Sequence, residues 1–366
     1  MNRQRVRVYV LGLMLIVPLL IGCVTLPTST PIPPTATATP VPPTATLVPP
    51  TAAAVPPTAT ATRVQSTAMP TIVAGTMARQ HLVALSETIG QRVAGTPNET
   101  KAAQYIDDAF KQIGYLSSIQ SFSATVTRNK GDVTIKSANV VALKPGVSAQ
   151  EIIVGAHYDS VSQGNGADDN ASGIAVMLEV ASRIKDKPTP YTIRFVAFGA
   201  EEDNQKGSSY YVSQMSQKDI QNTVAMINLD SLIAGDIAYV YGSAGNKGFI
   251  RDWALAMAQK EGLALRTQMG GNPKYPAGTT GDWSDHAPFD KIGIPYGYLE
   301  STNWSLGEKD GYTQVDTKFG EKGEIWHTKY DSLAYVDNTF PGRVDERLKL
   351  FVTVLYNIAT QFKKLE

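Results

Sequence analysis

A single α/β domain, with a mixed, largely parallel central sheet flanked by helices on both faces, is the fold class this sequence predicts. Two observations predict it. Short, almost continuously apolar runs recur between stretches of helical periodicity, which is how strands covered on both faces read. Residues 1–22 read as a targeting segment and 23–72 as a Pro/Thr-rich stretch without apolar bulk for a core, so residues 73–366 carry the fold.

The chain opens with Arg3, Arg5 and Arg7, followed by an apolar run over 8–21. That run has the length of a signal-peptide core and is short for a membrane span. It ends in Leu20-Ile21-Gly22-Cys23, which resembles the lipobox of bacterial lipoproteins. The resemblance implies a signal peptide over 1–22 and lipidation of Cys23. It also implies anchorage to a membrane at the cell surface or in the periplasm. Twelve of the 22 prolines follow between Pro27 and Pro70, and Pro-Pro-Thr-Ala starts at Pro33, Pro42, Pro49 and Pro56. Residues 23–72 therefore read as a disordered tether of extended polyproline character, of which ~45 residues at ~3.1 Å each would reach roughly 140 Å.

Beyond residue 73 the pattern changes. Helices are expected over 77–90 and 99–112, the second with Ala102, Tyr105, Ile106, Ala109 and Phe110 on one face. The clearest strands are 152–156, 192–198, 224–229, 237–241 and 294–299. Between the first two, Ile174, Met177, Leu178, Ala181 and Ile184 recur at helical spacing, so 171–184 is expected to be a helix. Two more helices are expected over 247–262 and 343–363.

Thirty-three basic residues balance 33 acidic ones, which gives no reason to expect a nucleic-acid partner. The single cysteine excludes intrachain disulfides and cysteine-based zinc sites. Any metal must be held by Asp, Glu and the four histidines. In parallel sheets, functional groups gather beyond the carboxyl ends of the strands. There the sequence places His157-Tyr158-Asp159, Glu201-Glu202 and Asp230, with Asp168-Asp169 before the helix at 171. Each is weak alone, since a pair of acids is usually solvated and Asp168-Asp169-Asn170 could be a helix cap. Four such sites in order point to metal or acid–base chemistry.

The motifs that carry a family resemblance are Val154-Gly-Ala-His-Tyr-Asp-Ser160, Gly166-Ala-Asp-Asp-Asn-Ala-Ser-Gly173, Phe198-Gly-Ala-Glu-Glu202 with Gly207-Ser208, and Ile227-Asn-Leu-Asp230. Ser284-Asp-His-Ala-Pro-Phe289 and His327-Thr-Lys-Tyr-Asp331 complete the set. In this order they resemble the M28 family of zinc aminopeptidases, over about residues 77–363. Arg92-x-x-Gly95-Thr96 and Asn139-Val140-Val141 look like the family's upstream segments.

The resemblance implies two Zn2+ ions, with other divalent ions acceptable to such donors. It implies His157, Asp169 and Asp230 as ligands of one ion. Asp169, Glu202 and His327 would hold the other, Asp169 bridging. It implies Glu201 as general base toward a water activated by the ions. Asp159 is expected to orient the His157 imidazole, and the Asp169–Asn170 peptide to be cis. His286 competes with His327 for the last ligand position; the family pattern favours His327 and leaves Asp285 and His286 beside the ligands or in the pocket wall. His81, on an early helix, reads as structural. The stretch 270–283, Trp304 and Trp326 are expected to wall the pocket.

The sequence departs from the family at Asp203-Asn204-Gln205-Lys206 and at Ser231, which puts substrate preference rather than catalysis in doubt. The implied activity is release of N-terminal residues from peptides. Related metal hydrolases are alternatives: a carboxypeptidase, a dipeptidase or a glutaminyl-cyclase-like enzyme. A binding module without chemistry is a weaker one, because all five ligands and Glu201 are present. M20 peptidases share a similar motif order but insert a lid domain before the last histidine. Asp230 and His327 stand 97 positions apart here, and that interval shows no second core.

Overall fold

The computed structural model describes residues 73–128 and 131–364. The expected signal peptide, Cys23 and tether lie outside them. Helix α1 (Thr76–Val83) forms the first part of the helical stretch expected over 77–90. It passes into a π-helical turn, Ala84–Ile89, which Gly90 ends in a conformation with φ 77°. Helix α2 (Pro97–Ile113) is longer than its apolar stripe. Thr96 caps its start by accepting from the Glu99 N–H, Pro97 supplies the preset φ of the first turn, and Gly114 ends it at φ 96°.

A long hairpin follows, β1 (Ser117–Arg128) and β2 (Gly131–Lys144). Then come β3 (Ser148–His157), a π-helical turn over Ala167–Ala171, α3 (Ser172–Ile184) and β4 (Tyr191–Phe198). The middle of the chain adds α4 (Lys206–Ser213), α5 (Gln217–Asn222), β5 (Thr223–Leu229) and β6 (Ile237–Gly242). It ends with α6 (Phe249–Glu261), the short β7 (Leu265–Arg266), α7 (His286–Lys291), β8 (Tyr296–Thr302), α8 (Leu333–Thr339) and α9 (Arg343–Gln361).

Among the described residues the strands form one eight-stranded sheet in the order β1-β2-β4-β3-β5-β8-β6-β7. Its centre is parallel, β4 and β5 flanking β3 and β8 joining β5. Toward the edges β1–β2, β2–β4 and β6–β8 pair antiparallel. The fold is therefore α/β with a mixed sheet.

The period of two along each strand sorts the core. On β3, Ile152, Val154 and Ala156 join the large cluster formed with α1, α2, α3 and α9, while Ile153 faces Phe198, Tyr211, Met226 and Phe289 on the other side. Helix α3 is buried on nearly all sides between the sheet and α1 and α9, which is why its apolar residues exceed one stripe. Both layers lock the carboxyl ends of β3, β4 and β5 at one edge. No helix among the described residues is long and apolar enough to cross a membrane.

Candidate metal centre

His157 is the last residue of β3, Asp230 follows β5, and Glu201 and Glu202 follow β4. Asp169 sits in the turn that opens α3, its peptide bond to Asn170 cis. His327 arrives on the loop between β8 and α8, with φ 56°. The chain thus brings together residues 157, 169, 201, 202, 230 and 327 around one cavity of about 440 Å³.

The Asp169 carboxylate lies between two imidazoles. Its Oδ1 is 3.1 Å from His157 Nε2, and its Oδ2 is 3.1 Å from His327 Nε2. His157 Nε2 also lies 3.3 Å from Asp230 Oδ1, and His327 Nε2 3.0 Å from Glu202 Oε2. Donor atoms bound tetrahedrally at about 2.0–2.1 Å stand roughly 3.3 Å apart, so these spacings are those of ligands sharing an ion. Donors of His157, Asp169 and Glu202 all fall within 4.8 Å of one another. The buried Glu202 Oε1 has no hydrogen-bond partner. Imidazole and carboxylate donors on a crowded anionic patch suit a divalent metal such as zinc, so the residues fit the ions that the sequence suggests.

The electrostatics follow from this crowding. Burial pushes the Asp169 carboxyl up, but the His157 and His327 hydrogen bonds outweigh it and hold it far below the usual range. Burial lowers His157, yet the charge of Asp230 and the neighbouring carboxylates raise it well above normal. His327, its side chain half exposed, is pushed up to about 12: burial opposes the shift, and Asp169 and Glu202 drive it. Burial raises Glu201 well above the ordinary carboxyl value and Glu202 to about 7.

The surrounding residues hold backbone rather than ions. Asp159, expected to orient His157, has its Oδ1 facing the imidazole Nδ1 at 3.6 Å. Its two oxygens also accept the Glu201 N–H (2.9 Å) and the Glu202 N–H (3.1 Å). Asp331 accepts from the N–H groups of Asp168 (2.7 Å) and Asp169 (3.2 Å). Asp168 accepts from Ile233 N, Ala234 N and Gln314 Nε2, while Gln314 Oε1 accepts the Ile325 and Trp326 N–H groups just before His327. Arg92, fully buried, donates to the carbonyls of Leu85, Gly90, Tyr158, Asn165 and Gly166. Gly166, at φ 59°, lets that loop close; a Cβ there would stand 2.8 Å from Arg92 Nη2.

Other expected residues lie elsewhere. His286 is buried between Tyr296 and Tyr298, ring centroids 4.5 and 4.9 Å away, with Nε2 3.1 Å from the Gly281 carbonyl. Burial lowers it to about 3. Neither His286 nor Asp285 lines the cavity; Asp285 lies behind Glu201, its carboxyl raised to about 7, first by burial. His81 bonds the Tyr105 hydroxyl at 2.7 Å. Of 270–283, only Asp282 and Trp283 reach the cavity, joined by Trp326. Trp304 stands behind the wall, its Nε1 donating to the Tyr241 hydroxyl at 2.6 Å. The departing residues Asn204, Gln205 and Ser231 do line the cavity. Asp331, Gln314 and Glu300 are further residues of the site, with no role expected from the sequence. The first and last could have been flagged, Asp331 by its place in the His327 motif and Glu300 by the alternation Tyr296-x-Tyr298-x-Glu300.

The model of Peptidase family M28 matches residues 139–352. The alkaline phosphatase isozyme conversion protein of Escherichia coli is 35% identical over 82% of this chain and 92% of its own length. A Mycobacterium tuberculosis protein named "probable lipoprotein aminopeptidase" is 31% identical over 63% of this chain, which spans about half of that relative, 48%. Among solved structures, a zinc aminopeptidase from Bacillus subtilis shares the fold with a TM-score of 0.64 and 20% identity, over 80% of this chain and 97% of that one.

Proposed function

Because the chain belongs to peptidase family M28, we propose that it is a metallo-aminopeptidase that hydrolyses the N-terminal peptide bond of peptides. The observation that carries this reading is the Asp169 carboxylate, set between His157 and His327 beneath an open cavity. His157, Asp169 and Asp230 would hold one zinc ion, and Asp169, Glu202 and His327 a second. Bound there, the ions supply positive charge that acidifies water and stabilises an oxyanion.

The chain's own groups do the rest. Glu201, in the cavity wall, accepts a proton at its carboxylate from the attacking water and delivers it to the leaving amine nitrogen. Asp159 keeps the Glu201 and Glu202 backbone in place, so one glutamate faces the ligands while its neighbour stays free. Asp230 and Glu201 offer negative charge to a free α-amino group. Trp283, Tyr312 and Trp326 shield the bond from bulk water. The lipobox at Cys23 and the relative named as a lipoprotein aminopeptidase support an extracytoplasmic, lipid-anchored location.

The test is metal analysis of the purified chain with a panel of free and N-blocked aminoacyl fluorogenic substrates, with and without a chelator. Near two metals per chain and chelator-sensitive release from free N-termini alone are expected. Cleavage of N-blocked substrates alone would reassign the enzyme to another class of metal hydrolase. Near one metal per chain with cyclisation of N-terminal glutamine would assign a glutaminyl-cyclase-like activity.

A further inference from the structure

Glu300 is a carboxylate inside an aromatic face. Along β8 the alternation Tyr296, Tyr298, Glu300 sets these side chains on one side of the sheet. On the antiparallel neighbour β6, Tyr239 pairs with Glu300 and Tyr241 with Tyr298. The Tyr241 hydroxyl donates to Glu300 Oε2 at 2.7 Å, and the Tyr298 hydroxyl to Oε1 at 3.1 Å. Trp304 Nε1 holds Tyr241 from behind. The residue is only 1% exposed, yet it lines the same cavity as Glu201 and the proposed ligands.

A carboxylate has about four lone-pair positions, and two hydroxyls occupy two of them. The other two remain for a donor arriving through the cavity. The groups acting on Glu300 are those hydroxyls and the acids Asp230 and Asp168; no basic side chain among the described residues pairs with it. The way in is walled by Trp283, Tyr312 and Trp326, with ring centroids 6.1 Å apart for the first pair and 5.9 Å for the second. Asp282 adds a second acid at the rim. Aromatic faces suit a long aliphatic stem and a cation passing over them. An apolar side chain would leave the two remaining lone-pair positions of the buried carboxylate unmatched, which is costly.

We propose that Glu300 is the specificity determinant of the cavity and selects peptides whose N-terminal residue carries a cationic side chain, arginine or lysine. The proposal rests on the aminopeptidase reading above and names its substrate class. The competing role for Glu300 is to hold the α-amino group, which every substrate shares.

The experiment compares kcat/KM of the purified full chain for arginyl, lysyl, citrullinyl and leucyl p-nitroanilides, in wild type and Glu300→Gln. Citrulline has nearly the shape of arginine without its charge. At alkaline pH, where Glu300 is ionised, wild type should favour arginine over citrulline about 10–100-fold, the worth of a charged hydrogen bond, and Glu300→Gln should bring the two together there. An arginine-to-citrulline ratio near one in wild type overturns the proposal. So does a ratio that survives Glu300→Gln, or a loss in that variant equal for arginine and leucine, which assigns Glu300 to the α-amino group. Should Glu300→Gln fail to fold, the wild-type ratio decides alone. Turnover of leucine with no preference for arginine sinks only this inference, whereas no turnover of any of the four substrates sinks the aminopeptidase reading as well.

Discussion

The carboxylate of Asp159 accepts the backbone N–H of Glu201 at 2.9 Å. A residue two places after His157 thus acts on the end of a different strand. Through its other oxygen it also grips Glu202, so the proposed base and the proposed ligand next to it are held by one side chain. In Asp159→Asn one acceptor becomes an NH2 group facing an N–H. The expected result is a 10–100-fold fall in kcat/KM, the usual scale for groups that orient ligands. Steady-state kinetics beside a thermal melt checks it, and full activity in a folded variant would show that the clamp is dispensable.

Glu201→Gln keeps the shape of the side chain and removes its ability to take a proton. Bound metal should stay at the wild-type level while kcat falls about 100-fold or more. A variant within tenfold of wild type would dismiss Glu201 as the base.

His327 reaches Asp169 and Glu202, whereas His286 is stacked between two tyrosines. His327→Ala should lose metal, measured by elemental analysis of the purified chain. His286→Ala should keep metal and lose stability, because it opens a hole in a packed aromatic cluster. The opposite pattern would reassign the ligand.

Arg92 satisfies carbonyls of the segments on both sides of the His157–Asp169 loop. Arg92→Met leaves several buried carbonyls unpaired, each costing about 1–3 kcal/mol. Chemical denaturation should show a loss of at least about 3 kcal/mol. A loss below about 1 kcal/mol would mean that water or a shifted loop replaces the guanidinium.

Burial raises the Glu300 carboxyl to about 8; the Tyr241 and Tyr298 hydroxyls oppose the shift, and the charges of Asp230 and Asp168 add to it. Only the ionised form pairs with a cation, and arginine stays charged throughout. The preference for arginine over citrulline should therefore climb as pH rises toward and through about 8 and level off above it. Taking the ratio cancels steps common to both substrates. A flat ratio between pH 6 and 9 would separate the preference from Glu300.

Much of the site was legible in the sequence because a parallel sheet imposes its own geometry. Once 152–156, 192–198 and 224–229 read as neighbouring buried strands, His157, Glu201-Glu202 and Asp230 had to emerge at one edge. The β1–β2 hairpin was harder to read, since its outer residues alternate with solvent and show no continuous apolar run. The role of Gln314 was not legible at all, and that of Asp331 only through its place in the His327 motif. Asp331 accepts backbone N–H groups 163 and 162 residues away and Gln314 two that are 11 and 12 residues on, and such donors have no residue-specific signal.

By itself the sequence determined the strand-and-helix alternation and which acids and imidazoles stand at strand ends, because burial and periodicity are local properties. The tertiary structure alone decided that Asp159 clamps backbone, that His286 packs between tyrosines, and that Glu300 opens into the cavity. Each depends on contacts between separate segments, from 10 residues apart for His286 and Tyr296 to 59 for Tyr241 and Glu300, where packing sets the partner of a polar group and spacing along the chain carries no record of it.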